Sequence, residues 1–564
     1  MPKRFLRERL ALKLLMIFSV LILVAIIAIP TLTLLVESFT VETTGRGPVF
    51  SFDNYVHVIN SPDFISGLTN TIVTSLGATV FAIVMGVTMA WVVNRTNVPW
   101  KAQLESLNIL GLFYSPLLAS IAWTYLASDR IGMINALLQT SLNLSGPIFN
   151  IYGIWGYIWV VGLFYAPYAF VFTSAALKSM NPELEEAARV CGTGILRTTR
   201  RVTIPLVTPA ILSSAIIIFS ISAGIFEVPY ILMVPKRIDT LATQIYRYLY
   251  TYPSRLDLAL ATGVILLVIA GGAIYVQRVI IRRRQIVTIS GRGFRPNIID
   301  IGRWKYVALG SNLALVFVGV ILPYITLFLA SISSYWSGAI DPRLFTLDNY
   351  SMVFSQGITT RAIKNSLFLG VVGATLGVGL AFIISCIVER TRIHGREALD
   401  LLTTIPISMP AIVLALGILR FFIYTPLYGT IWLVMIGYLS RFLTYGTRNV
   451  STGLLQMSPE LEESSATCGA SFFTTFRRIL VPLLKPNLFA AWILFFIIFT
   501  RELGTSILLY STNNEVLSVA LIELAEYGGS GLVAALAMVQ SMILFGGFLL
   551  ANRLAGVKTI GPVM

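Results

Sequence analysis

Residues Met180–Ala210 read MNPELEEAARVCGTGILRTTRRVTIPLVTPA, and residues Met457–Asn487 read MSPELEESSATCGASFFTTFRRILVPLLKPN; 14 of the 31 aligned positions are identical without a gap. Each copy specifies the same local structure. Asn181 and Ser458 are good N-caps, and Pro182 and Pro459 fall at the first helical position, where a missing N–H costs nothing. Glu183 and Glu460 then face the positive end of the helix dipole. A helix of about ten residues, roughly 15 Å long, stops at Gly192 or Gly469, which suit left-handed caps. A second basic stretch follows, with Arg200-Arg201 or Arg477-Arg478, and Pro205 or Pro482 is expected to close it. The product is a helix–Gly–helix elbow.

The residues around the elbows are apolar. Over all 564 residues, 56% are hydrophobic, 12% are charged and the mean hydropathy is +0.81. That charged share is about half the usual one for a soluble domain, so lipid is the expected solvent. Spanning a bilayer takes about 20 apolar residues, and runs of that order recur twelve times. Six precede residue 290: Leu14–Val36, Thr71–Asn94, Ser106–Ser128, Ile151–Leu177, Pro209–Phe226 (continuing to Val234) and Leu258–Gln277. Six follow it: Tyr306–Ser331, Asn365–Val388, Leu401–Leu419, Leu427–Tyr445, Pro486–Tyr510 and Leu532–Asn552. The first run follows Lys3, Arg4, Arg7, Arg9 and Lys13. It is too long for a signal peptide and lacks a small-x-small cleavage site, so it reads as an uncleaved first helix.

The excess of basic residues fits a membrane protein better than a nucleic-acid binder. With the N-terminus inside, 29 of the 41 Lys and Arg fall in cytosolic segments, as the positive-inside rule requires. Both termini and both elbows are then cytosolic. The loop Pro235–Asp257 dissents, with Lys236, Arg237, Arg247 and Arg255 on the outer side. Three cysteines without a CxxC, and only two histidines, give no disulfide framework and no zinc site.

The two halves repeat each other. Asp53-Asn54-Tyr55 returns as Asp348-Asn349-Tyr350, Asn70 as Asn365, and Arg95-Thr96 as Arg390-Thr391, all shifted by 295 residues. At the elbows the shift is 277, so the first half carries about 18 extra residues near Thr140–Asn150. Six spans is an even number, so the repeat is parallel. The expected architecture is all-α and polytopic, with twelve transmembrane helices as two parallel six-helix repeats. Residues 1–281 form the first domain (elbow 180–205), 282–304 a basic cytosolic linker, and 305–564 the second domain (elbow 457–482).

A lone elbow is accounted for by an amphipathic surface helix with a solvated charged face. Two copies at equivalent places ask for a shared job. The run Glu186-Ala187-Ala188 leading to Gly192 and Ile204-Pro205, with Glu463-Ser464-Ser465 leading to Gly469 and Val481-Pro482, resembles the cytosolic loop of permease subunits of ATP-binding-cassette importers of type I. The resemblance covers nearly the whole chain as two permease domains in tandem. It implies that each elbow is a coupling helix seated on an ATPase subunit. That role would fall on Glu183, Glu185, Glu186, Ala187, Gly192, Arg200 and Arg201, and on Glu460, Glu462, Glu463, Gly469, Arg477 and Arg478. It further implies two copies of the ATPase, an extracytoplasmic substrate-binding protein and a bacterial inner-membrane location. No GxxxxGK[ST] phosphate loop occurs in the chain. No cofactor is therefore expected on this chain; ATP and Mg belong to the partner, and neither enzyme activity nor nucleic acid is implied.

Within the spans, Glu227, Arg501 and Glu502 stand out, and Arg441 to a lesser degree. An ionisable group at mid-bilayer costs about 2.5–3.5 kcal/mol and usually faces a cavity or a partner. Two readings stand open: a translocation path lined by Glu227, Arg501 and Glu502, or ion pairs that lock helices together. Thr500–Leu524 resembles the tandem permeases for ferric iron, with thiamine and aminoethylphosphonate permeases as close relatives. Tyr246, Tyr248, Tyr250 and Tyr252 fit an interfacial aromatic belt better than a metal site. The basic outer loop suits an acidic binding protein or anions. An ion-coupled secondary transporter is the rival class. Its major-facilitator form lacks support, since the turns after spans two and eight read NRTNVPWK and ERTRIHGRE.

Overall fold

In lipid, a backbone without water must satisfy its own polar groups, which leaves helices as the solution for single apolar runs. The computed structural model of the chain is built from them. It describes residues 2–43, 47–143, 145–181, 183–283, 298–391 and 393–555, so the linker expected at 282–304 lies largely outside the described residues, as does Pro182. Among the described residues nine helices are long and apolar enough to cross a membrane: Lys13–Glu37, Pro62–Arg95, Ile154–Ser179, Thr199–Gly224, Leu256–Ile280, Trp304–Ser331, Gly357–Arg390, Phe473–Arg501 and Ser530–Leu550.

The other three expected spans take different forms. Span three divides into Lys101–Ile109, a tight turn at Leu110–Phe113, and Pro116–Ala127. Span nine divides into Arg396–Ser408 and Ala411–Phe422, bent by 115°. Expected as continuous, both break just before a proline. Ser115 (φ −87°, ψ 139°) and Met409 (φ −96°, ψ 129°) are held extended by the Pro that follows. Span ten is one helix, Ile431–Leu455, made less apolar by Arg441 and Arg448.

Spans five and eleven also depart from expectation. Pro205 and Pro482 do not close the basic stretch. The chain passes through a single π-turn, Thr199–Thr203 or Phe476–Leu480, and continues as Ile204–Gly224 or Val481–Arg501. A proline inside a helix removes one N–H and crowds the carbonyl four residues back, and the wider turn relieves the clash. At the far end neither span runs on unbroken. The first helix stops at Gly224 and restarts at Glu227, and the second stops at Arg501 and restarts at Ser506. Among the described residues one antiparallel strand pair, Thr40–Thr43 with Gly47–Phe50, interrupts the all-α pattern.

The chain packs into two compact units that cut it elsewhere than the sequence repeat does. One holds Met1–Asn54 with Tyr350–Thr559, and the other holds Tyr55–Asn349. In the first unit Leu23, Ile26 and Ile27 of span one bury against Ile384, Leu399 and Leu443. In the second, Val316 of span seven joins a core of Met89, Val93, Leu104, Phe170 and Val207. In lipid such contacts hold by van der Waals packing rather than by transfer out of water, and contacts rather than chain order decide the grouping.

The repeated polar markers do the same work in each half. Asn54 Nδ2 donates to the Ser38 and Thr40 carbonyls at 3.2 and 2.9 Å, and Asn349 Nδ2 donates to those of Ser331 and Ser333 at 2.9 and 2.8 Å. Each ties a short helix to the end of the preceding span. Asn70 donates to the Asp239 carbonyl at 2.9 Å, and Asn365 to the Glu515 carbonyl at 2.9 Å. Beside them Leu241 N–H donates to Thr71 Oγ1 at 2.9 Å and Leu517 N–H to Ser366 Oγ at 2.8 Å. The insertion of the first half is organised by buried Asn135. Its amide donates to the Ser128 and Phe149 carbonyls, each at 2.8 Å, and its oxygen accepts from the N–H groups of Ile148 and Phe149.

Candidate functional site

The elbow helices span Glu183–Val190 and Glu460–Thr467. Asn181 Oδ1 accepts the Glu183 N–H at 3.0 Å and Ser458 Oγ accepts the Glu460 N–H at 3.3 Å, as N-caps should. Both helices end alike. Gly192 has φ +80° and Gly469 φ +76°. Thr193 N–H reaches back to the Ala188 carbonyl at 3.2 Å, and Ala470 N–H to the Ser465 carbonyl at 3.1 Å, closing matched Schellman motifs. Among the described residues, and chain neighbours aside, no atom lies within 4 Å of where a Cβ would stand on either glycine, so the backbone angle is what demands glycine there. Gly192→Val is expected to cost about 1–2 kcal/mol of local stability, and Gly192→Asn much less. Trypsin cleavage after exposed Arg197 should accelerate about tenfold in the valine variant and little in the asparagine one; equal rates would contradict this.

The candidate coupling residues do not share one environment. Glu183, Glu186, Ala187, Arg200 and Arg201 are exposed in the first elbow, and Glu460, Glu463, Arg477 and Arg478 in the second. Exposed Leu184 and Leu461 stand beside these acids, and Val190 is 89% exposed at the first elbow's tip. Each elbow thus offers acids and apolar side chains on one accessible surface. Glu185 and Glu462, expected on the same docking surface, point inward instead.

Their partners are the arginines that close spans two and eight. Glu185 Oε1 lies 3.3 Å from Arg95 Nε, with the two side chains 2% and 1% exposed. Glu462 Oε1 lies 3.0 Å from Arg390 Nε, at 22% and 10% exposure. The same guanidinium groups donate to the backbone where the preceding span ends: Arg95 Nη2 to the Leu177 carbonyl at 2.9 Å, and Arg390 Nη2 to those of Leu454 and Met457 at 2.6 and 2.9 Å. Burial pushes the Glu462 carboxyl above the usual carboxylate range, and Arg390 opposes the shift in part. Arg95 and Arg390 were legible only as repeat markers. Their role needs the fold, because each lies some 70–90 residues from its partner.

The acids within the spans sit at the helix breaks. Glu227 opens a short helix, Glu227–Leu232, and its carboxylate accepts the Phe226 N–H at 3.1 Å. Glu502 accepts from Arg441 Nη1 and from the Thr505 N–H, each at 2.8 Å. A restarting helix leaves N–H groups without intrahelical partners, and a carboxylate satisfies them. The ion-pair reading of Glu502 therefore has a partner, and it is Arg441 of span ten. Arg501 ends the long helix before the break.

Two of the four cations in the loop 235–257 are paired locally. Arg247 lies 3.0 Å from Asp63 and 2.8 Å from Asp239, and Arg255 lies 2.9 Å from Asp257. Lys236 and Arg237 are exposed. Tyr246 stacks on Tyr250 with ring centroids 4.5 Å apart and meets Phe226 at 5.1 Å. These phenols pack as an aromatic cluster, in which offset rings attract.

Residues 82–286 and again 377–555 match the family described as binding-protein-dependent transport system inner membrane component. The chain belongs to that family. One match falls in each half of the repeat, so this is a fused double permease of the type I ATP-binding-cassette importer class, a multi-pass inner-membrane protein. The permease is 28% identical over 509 residues to the putative ferric transport system permease protein FbpB 1 of Haemophilus influenzae, covering 88% of this chain and 78% of that one. It is 28% identical over 240 residues to the putative 2-aminoethylphosphonate transport system permease protein PhnV of Salmonella typhimurium, covering 42% of this chain and 89% of that one. A solved bacterial ABC transporter involved in import of the acidic polysaccharide alginate aligns over 45% of the permease and 95% of its own chain, with 17% identity and a TM-score of 0.38.

Proposed function

We propose that this permease forms the translocation path of an ATP-driven importer and takes its work from two ATPase subunits seated on its elbows, with ferric iron delivered by an extracytoplasmic binding protein. The observation that carries the coupling role is the matched pair of elbows. Each joins two spans, exposes acids beside apolar side chains, and is fixed at its root by an arginine of a third helix. A helix held at both ends cannot move without moving its spans. In this reading the elbows and both termini face the cytosol. ATP draws the two ATPase copies together, the elbows follow, and the helix bundles open outward; hydrolysis resets them. The ATP and Mg stay on the partner, since this chain has no phosphate-cradling loop.

The iron assignment draws on two relatives that match 88% and 90% of this chain and are named as ferric transport permeases. The test is uptake by proteoliposomes holding the permease with its ATPase and binding protein. Radiolabelled ferric ion presented on the binding protein should enter only with ATP inside the assay's ATPase-bearing face. Uptake of aminoethylphosphonate in its place would reassign the cargo. Uptake that persists without ATP, driven by an ion gradient, would overturn the importer mechanism.

A further inference from the structure

The two elbow roots are built on the same plan but not with the same bonds. In the first, Glu185 Oε1 also accepts the hydroxyl of Thr203 at 2.6 Å, and Thr203 is buried in the π-turn that leads into span five. The buried carboxylate thus joins three elements: the end of span two through Arg95, the elbow helix that carries it, and the exit helix through Thr203. In the second root the residue matching Thr203 is Leu480. Leu480 packs among Phe382, Cys386, Leu454 and Leu484 and has no hydroxyl to offer. The exit helix is tied to the second elbow by a neutral bridge instead, Ser465 Oγ to Thr475 Oγ1 at 2.8 Å and only partly buried. A hydrogen bond to an ionised acceptor is roughly twice as strong as a neutral one, and burial strengthens it further.

We infer that Arg95, Glu185 and Thr203 make the first elbow a rigid joint, while Arg390 and Glu462 make the second a compliant one. Arg95, Arg390 and Thr203 are positioning residues, since they act through the elbow helix and touch no nucleotide. This inference rests on the coupling role proposed above and adds that two like ATPase subunits act on unlike levers. The first elbow passes displacement to span five directly. The second can tilt against its exit helix before span eleven follows.

Hydrogen exchange, read by mass spectrometry on the full chain in lipid nanodiscs without any ATPase, tests the joints alone. After correction for intrinsic rates, amides of Glu460–Thr467 should exchange about tenfold faster than those of Glu183–Val190, the factor that roughly 1.4 kcal/mol supplies. Thr203→Val should bring the first helix close to the rate of the second, and Thr203→Ser should keep it slow. Equal protection of the two native helices, or no response to Thr203→Val, overturns the inference. In the full complex, Thr203→Val should lower cargo moved per ATP by at least about twofold while the ATPase stays bound; an unchanged ratio refutes the mechanical half of the inference. If the exchange pattern appears but the native permease binds no ATPase, the unequal joints stand and the coupling reading falls.

Discussion

Glu186→Lys combined with Glu463→Lys is expected to strip the ATPase from the permease while leaving the permease folded in the membrane. Both carboxylates are exposed near the start of the elbow helices, so reversal leaves no buried charge behind, and the favourable dipole contact it removes is worth a few tenths to about 1 kcal/mol. At a docked interface the same change sets like charges against each other, at several kcal/mol per juxtaposition. A combined loss of about 3 kcal/mol already weakens binding more than roughly 100-fold. Co-purification of the ATPase should fall to background, and cargo uptake with it, at native permease yield. Retention of the ATPase by the double variant would remove the elbows from the docking surface.

The second large effect belongs to Arg441 and Glu502. The carboxylate is 8% exposed, accepts from Arg441 at 2.8 Å and caps the Thr505 N–H. Removing one partner of such a pair strands the other charge, at about 3–5 kcal/mol, whereas replacing both by apolar residues is often neutral. Arg441→Leu should therefore lower the melting temperature in detergent by several degrees. Arg441→Leu with Glu502→Leu should recover part of the loss, limited by the uncapped N–H. If the double variant melts no higher than the single, the pair is not what holds spans ten and eleven together.

These expectations draw on different levels of legibility. The elbow was readable almost atom by atom, because caps, first-turn acids and left-handed glycines are local devices set by residues within one or two turns. The helical breaks at Ser115-Pro116 and Met409-Pro410 were also present in the sequence as prolines, yet hydropathy averages over about twenty residues and read through them. The π-turns before Pro205 and Pro482 were misread as stops for a related reason. A helix absorbs a proline by widening the turn before it, and apolar run length carries no sign of that turn.

The candidate site divides the same way. Glu185 and Glu186 are adjacent and chemically identical, so composition alone could not separate them. The helix turns them about 100° apart, and only the position of Arg95, closing another span, decides that Glu185 is the buried one. The markers Asn54, Asn70 and Arg95, repeated at a fixed spacing, announced that something was shared between the halves. Asn54 reaches carbonyls only 16 and 14 residues back, but Asn70 and Arg95 reach carbonyls 169 and 82 residues away and Arg95 the Glu185 carboxylate, and those partners appear only once the helices are packed.

By itself the sequence determined the solvent, the helical class, the tandem repeat and the two elbows, since each follows from apolar run length or from contacts within a few residues. The tertiary structure decided which acids face outward, which arginines hold them, and that the first span packs with the second half's helices. Those outcomes depend on which buried groups find partners across long sequence separations, and no local pattern carries that information.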